Sequence, residues 1–319
     1  MRIIFVGRSK RRTQAGNHLM GAFRHAGCEV RRLRRTWVED LVGYRWLIRK
    51  ARRFRPDMLF LYTHRPPMPL IDALIADEIP VVFFLPSIRP EPDSQLLHLA
   101  RTSILFFITN VGQLDFYRGL GVPDPRFLTQ GVEPRVHYPD PAPHPRWHSQ
   151  LAFIGEHRSG DKRDEFLMPL VSRWEAKIYG PGWEKAGLKA AKSVVYPPQY
   201  RSICTASEVM LGFDTHAEIP LCFSNRTWLT LGCRGFLLTT YVPRLEELFG
   251  NRRHLVWYRS REECEEQIEY YLSHPEERRD IAETGYKYVL DNYTYDHVVR
   301  RILKAFCEKT GSDLPPPLK

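Results

Sequence analysis

The amino-acid sequence predicts an α/β protein made of two Rossmann-like, doubly wound domains. Short apolar runs alternate with longer helical segments along most of the chain, the pattern of right-handed strand–helix–strand units. The series breaks once, at residues 131–145 (GVEPRVHYPDPAPHP), a proline-dense stretch with no periodicity. At 319 residues the chain exceeds one average domain and suits two of about 150 residues each. The expected division is a domain at 1–145, a second at 146–310, and a disordered tail at 311–319.

Each element follows from its local pattern. Residues 3–6 (IIFV) form the first strand; the apolar stretch precedes the charges, the reverse of a signal peptide. A loop and a helix at 17–26 follow, then a strand at 28–31 and a basic helix at 41–54. Residues 57–62, 81–85 and 104–108 are continuously apolar, as strands of a parallel sheet buried on both faces must be. Past the break, strands are expected at 151–155 (LAFIG), 176–180 (AKIYG), 209–213, 235–239 and 254–258. Helices at 262–273, 275–292 and 295–309 close the chain, the second opening with Pro275 at its first position.

Composition narrows the classes. No apolar run approaches the length of about 18 residues that a spanning helix needs. The six cysteines are scattered without a CxxC pair, which argues against zinc sites and disulfides and for a reduced, cytoplasmic setting. The net charge is +10, yet residues 1–55 alone carry sixteen Arg or Lys against Glu29, Glu39 and Asp40, a net of +13. Such a local excess attracts polyanions, with Arg11, Arg12, Arg34, Arg35, Arg49, Arg52 and Arg53 the candidate contacts. Trp37, Tyr44, Trp46 and Phe54 interleave with these cations, as base stacking would use them. The same residues also read as a solvated helix face whose aromatics are core.

Residues 224–249, SNRTWLTLGCRGFLLTTYVPRLEELF, read as a short helix, a Gly-punctuated turn, a buried strand and a second turn at 241–243. A strand and two helices follow. In order and wording this block resembles the C-terminal half of GT-B glycosyltransferases. It is most similar to the spore-maturation-protein-like (CgeB-like) branch of the retaining group, over residues 151–303. The resemblance implies a nucleotide-sugar donor, most commonly UDP-linked, held by the C-terminal half. It implies an acceptor held by the N-terminal half, across a cleft.

In open α/β sheets, ligands bind beyond the carboxyl ends of the strands. After LAFIG, Arg158, Lys162 and Arg163 stand where a diphosphate would meet cations and a helix start. The resemblance assigns that contact to a basic residue of this loop, Arg163 first and Lys162 second. Tyr179 and Gly180 end the next strand, and the resemblance places their turn near the nucleobase, with the YPPQY segment at 196–200. Ser224 and Asn225 open the signature helix, where capping groups also suit an anion. Arg226 matches the arginine of the family's R-x-[FY]-E run. The glutamate of that run is matched by Leu229, and its partner eight residues earlier by Leu221, so the two-glutamate motif is absent. Glu246 and Glu247 are candidates for the vacated hydroxyl contact, or else exposed charges. Gly235, Thr239 and Thr240 flank the signature strand and are expected to face the donor.

In the N-terminal half, Gly7, Arg8, Gly16 and Asn17 form the first loop, without a GxGxxG run. His64 and His216, at strand ends, are candidates to orient the acceptor. There is no DxD pair, nucleophile elbow or Walker A loop. A metal-independent transfer with no cofactor beyond the nucleotide sugar is expected. Hydroxymethylated bases in DNA rank first as acceptor, ahead of a cell-surface or spore polysaccharide or protein. Leu221 and Leu229 also suggest a second class, a non-catalytic protein that binds nucleotide sugar or nucleic acid.

Overall fold

A computed structural model of the chain describes residues 1–7, 14–33, 43–158, 160 and 162–316. The expectations for Arg8, Arg11, Arg12, Arg34, Arg35 and Trp37 lie outside the described residues. Two compact units are present: Met1–Gln130 with Tyr295–Lys319, and Gly131–Thr294.

The N-terminal unit holds a six-stranded parallel sheet: β1 (Arg2–Gly7), β2 (Glu29–Arg32), β3 (Met58–Tyr62), β4 (Val81–Leu85), β5 (Leu105–Ile108) and β6 (Pro125–Phe127), in the order β2-β1-β3-β4-β5-β6. Its helices are α1 (Ala15–His25), α2 (Arg45–Phe54), α3 (Met68–Ala76), α4 (Ser94–Thr102), α5 (Leu114–Gly119) and α11 (Tyr295–Thr310). Successive strand side chains point to opposite faces, which explains the unbroken apolar runs. Ile3, Phe5 and Phe60 enter one core with Leu19 and Phe23 of α1. Ile4, Leu59 and Phe83 enter the other with Leu47, Ala51 and Phe54 of α2. The three-residue β6 escaped sequence reading because Pro125, Arg126 and Phe127 show neither alternation nor an apolar run.

The C-terminal unit holds β7 (Ser149–Ile154), β8 (Ala176–Tyr179), β9 (Ser207–Leu211), β10 (Leu237–Thr240) and β11 (Val256–Tyr258) in the order β11-β10-β9-β7-β8, all parallel. Its helices are α6 (Arg163–Arg173), α7 (Pro197–Ala206), α8 (Arg226–Gly232), α9 (Arg261–Ser273) and α10 (Pro275–Asn292). Counted from its own first strand, this order matches that of the first five strands of the N-terminal sheet. The strand order therefore reverses between β1 and β3 in one unit and between β7 and β9 in the other. Such switch points are where open α/β sheets bind ligands.

Three boundaries differ from expectation. Helix α11 belongs to the N-terminal unit, because its Val298, Val299, Ile302 and Phe306 share a core with Leu19 and Phe23. Its periodicity marks it as a helix but cannot say which sheet it covers. The units part at Gln130 instead of residue 145, since Val132 is buried in the C-terminal core and its N–H donates to Tyr293 O at 2.9 Å. In the tail, Leu314 packs on the α11 core and Pro315 is buried; residues 317–319 lie outside the described residues.

Candidate active site

At the carboxyl end of β7, three consecutive carbonyls are each held by a side chain from a different element. The Arg226 Nε of α8 donates to Ile154 O at 2.7 Å, and the Trp183 Nε1 to Gly155 O at 2.9 Å. The Arg163 guanidinium of α6 donates to Glu156 O. Trp183 is fully buried, its ring set edge-on to Phe153 at 5.7 Å. His157 continues the pattern: its N–H donates to Pro181 O at 3.0 Å, and its Nδ1 lies 3.2 Å from Gly182 O. The β8 turn can approach this closely because it is glycine. Gly180 has φ +126°, and a Cβ there would collide with the Gly155 carbonyl oxygen. A Cβ on Gly182 (φ +91°) would stand 2.6 Å from His157 O. The turn that carries Arg158, Lys162 and Arg163 is thus anchored along its first half, as a preorganised site requires.

Arg226 ties this strand end to the next one. Its Nη1 reaches Phe213 O at 3.4 Å, just past β9, and Ser224 Oγ at 3.1 Å, while the guanidinium lies 4.5 Å over the Phe153 ring. The side chain spans the switch point between β7 and β9 and is 9% exposed. Asp214, 7% exposed, stands beside it. Its Oδ1 accepts from the Ser224 N–H at 2.8 Å, and its Oδ2 is buried with no hydrogen-bond partner. Burial raises the Asp214 carboxyl above its ordinary range; the Arg226 charge, the Ser224 bonds and Arg163 oppose that rise in part. Across β10 and β11, Tyr258 Oη donates to Gly212 O at 2.7 Å and accepts from Thr240 Oγ1 at 3.1 Å, fixing the backbone before Asp214.

A protein-family profile described as Glycosyl transferase-like matches residues 159–304, the stretch from this turn into α11. The spore protein CgeB of Bacillus subtilis (strain 168) is 22% identical over 272 residues, spanning 79% of this chain and 84% of that protein. Among solved structures, Anabaena HepE in complex with UDP and glucose aligns over 97% of this chain and all of its own, with TM-score 0.69 and 13% identity. Sucrose-phosphate synthase from Thermosynechococcus elongatus aligns over 98% of this chain and all of its own, with TM-score 0.68 and 9% identity. The chain is a glycosyltransferase of the two-domain, Rossmann-like GT-B fold, with similarity to CgeB.

In this glycosyltransferase the expected donor residues divide into two sets. Arg158, Lys162, Arg163, Gly180, Ser224, Asn225 and Arg226 gather around the ends of β7 and β9. Tyr179 ends β8, but its ring turns into the core beside Trp147, 6.2 Å away. Thr239 is buried and Thr240 bonds Tyr258 at the exit of β10. Gly235 is not with them: it precedes β10 at the opposite end of the sheet, packed against Thr230 Cγ2 and Cys204 Cβ. A side chain there would break the core. Glu246 accepts from Tyr241 Oη at 3.0 Å, and Glu247 is paired with Arg244 at 2.5 Å, which lowers its pKa. Leu221 is 2% exposed with φ +53°, so the position of the absent first glutamate is core.

His216 lies 3.7 Å from Glu218, and His64 accepts from Arg89 at 3.3 Å in the other unit. Gly7 ends β1 at the N-terminal switch point, where a Cβ would meet Tyr62 Cβ at 2.8 Å; Gly16 and Asn17 fall in the first turn of α1. On α2, Arg49 and Arg53 are exposed, but Arg52 is held by Asp77 through bonds of 2.7 and 2.9 Å. Among the described residues, no group of three His, Cys, Asp or Glu is gathered to hold a metal ion, and no helix is long and apolar enough to cross a membrane. Sequence reasoning missed Asp214, His157 and the anchoring role of Trp183. An acid directly after the apolar strand VMLGF was the available signal for the first.

Proposed function

We propose that the enzyme moves a sugar from a UDP-linked donor to a hydroxyl of a polyanionic acceptor, with retention at the anomeric carbon and without a metal ion. The C-terminal unit takes the donor and the N-terminal unit the acceptor. The observation that carries this reading is the cationic turn of residues 156–163, anchored at the carboxyl end of β7 and leading into the 11-residue α6. Its cations suit a diphosphate leaving group, whose growing negative charge Arg158, Lys162 and Arg163 would offset. The UDP and UDP-glucose complexes of Anabaena HepE support the choice of nucleotide. As the bond from the anomeric carbon to the diphosphate breaks, the acceptor oxygen bonds that carbon on the same face. The acceptor's proton passes to the departing phosphate, so no strong base is needed. A setting in the cytoplasm fits six free cysteines, which stay reduced there.

The outward face of α2 supports a polyanionic acceptor. Leu47, Ala51 and Phe54 are buried, leaving Arg45, Arg49, Lys50 and Arg53 exposed around Trp46, itself 41% exposed. Hydroxymethylated DNA bases are the acceptor this face suits first, with phosphates on the arginines and a base on the indole. An anionic envelope polymer is the second reading, favoured by the similarity to a spore protein. The similarity to glycosyltransferases favours a catalytic protein over the non-catalytic alternative.

The test is mass spectrometry of nucleosides digested from DNA carrying 5-hydroxymethylcytosine or 5-hydroxymethyluracil, after incubation with the enzyme and a panel of nucleotide sugars. A mass gain of one hexose or pentose fixes donor and acceptor together. UDP-sugar hydrolysis without a gain moves the acceptor to an anionic glycan. Reversing two charges, Arg49→Glu with Arg53→Glu, is expected to raise the KM for the polymer acceptor about tenfold and to flatten its salt dependence. An unchanged KM would remove α2 from the acceptor site.

A further inference from the structure

We propose that Asp214 is a positioning residue for the donor: acting through Ser224 and Arg226, it holds the end of β7 and the cationic turn beyond it in the arrangement that meets a nucleoside diphosphate. This inference rests on the donor reading above and deepens it.

The chain of contacts is continuous. Asp214 Oδ1 fixes the Ser224 N–H at 2.8 Å, and Ser224 Oγ accepts from Arg226 at 3.1 Å. Arg226 then donates to Ile154 O at 2.7 Å, next to the Gly155 and Glu156 carbonyls that Trp183 and Arg163 hold. Arg226 is therefore occupied by backbone carbonyls and a hydroxyl, and its place is that of a strut. Of the turn cations, Arg163 also holds the Glu156 carbonyl and Arg158 pairs with the Glu156 carboxylate at 3.0 Å, while Lys162 is exposed at the start of α6. The signature helix α8 has seven residues, too few to act as an anion site by itself.

Two features mark Asp214 as held for function over stability. Its Oδ2 is buried without a partner, an arrangement that costs stability and that an apolar residue would avoid. Burial also raises its carboxyl despite Arg226 and Arg163, so the ionised form is disfavoured by the fold. Groups that are costly to the fold and central to a site are where local rules yield to function. The carboxylate is buried behind Ser224 and Arg226, so it works through them.

The experiment compares the intact enzyme with Asp214→Asn, Ser224→Ala and Arg226→Lys by calorimetric titration with UDP, steady-state UDP-glucose hydrolysis and thermal melting. Asn keeps an acceptor for the Ser224 N–H but no charge, and Lys keeps the charge but cannot span two carbonyls. Each variant is expected to raise the UDP Kd, and the KM for UDP-glucose, about tenfold, as loss of one charge-assisted contact does. The kcat should stay within about threefold, and Asp214→Asn should melt no lower than the parent. Unchanged Kd and KM in all three variants would overturn the proposal, as would a fall in kcat alone. If the parent enzyme does not bind UDP, the donor reading fails and this inference with it. Where UDP-glucose is not turned over, the UDP Kd alone decides.

Discussion

Replacing Gly180 with alanine is expected to lower the melting temperature of the C-terminal unit by about 10 °C and to eliminate measurable UDP binding. Gly180 has φ +126°, where side chains rarely sit, and a Cβ would enter the Gly155 carbonyl oxygen. Backbone strain of this kind costs about 1–3 kcal/mol. Moving Gly155 O also breaks its bond to Trp183 Nε1, inside a region where Trp183 is fully buried; an unmet buried partner adds about 1–3 kcal/mol. At about 2–4 °C per kcal/mol for a unit of this size, the sum gives the stated shift. Scanning calorimetry measures it, with Gly187→Ala as control. Gly187 also has positive φ (+73°), but nothing lies within 4 Å of its would-be Cβ. Equal losses in the two variants would show that strain alone matters and that the close approach of β8 to β7 does not.

How much of this was legible in the sequence depends on what each residue reports. The strands were, because a parallel strand buried on both faces is an unbroken apolar run: MLFLY, VVFFL and LFFI were placed within a residue of their ends. The cationic turn was legible for the same reason, since it follows such a run. What the sequence withheld is pairing. Nothing in the run YDHVVRRILKAF distinguishes a helix covering its own sheet from one returning to the first unit, as α11 does. Arg226 read as a donor contact because it matches the arginine of the family's R-x-[FY]-E run. Its bonds to Ile154 O and Phe213 O depend on a switch point that only strand order reveals. Arg52 read as a free cation until Asp77, 25 residues later, proved to be its partner.

Arg226→Ala is expected to destabilise the C-terminal unit by about 3–5 kcal/mol, the cost of breaking a buried charge arrangement by removing one member. Three bonds are lost, to Ile154 O, Phe213 O and Ser224 Oγ, together with the contact over Phe153. Asp214 is left buried with Arg163 as the remaining favourable cation. Adding Asp214→Asn removes that stranded charge, so the double variant should recover about 1–2 kcal/mol; two distant, independent sites would not couple in this way. The pH dependence carries the same signature. Asp214 titrates above the ordinary carboxyl value of 3.8 in the folded protein, and higher still without Arg226. Between the two values the native state binds more protons than the unfolded chain, so stability falls as pH rises through that window. Below 3.8 both states are protonated and the penalty vanishes. The deficit of Arg226→Ala should thus be larger at neutral pH than in mild acid, and this difference should disappear in the double variant. Urea unfolding of all four proteins at the two pH values measures the cycle. A loss independent of pH, with no recovery on adding Asp214→Asn, would mean that Arg226 supports the site through its hydrogen bonds alone and that Asp214 is a bystander.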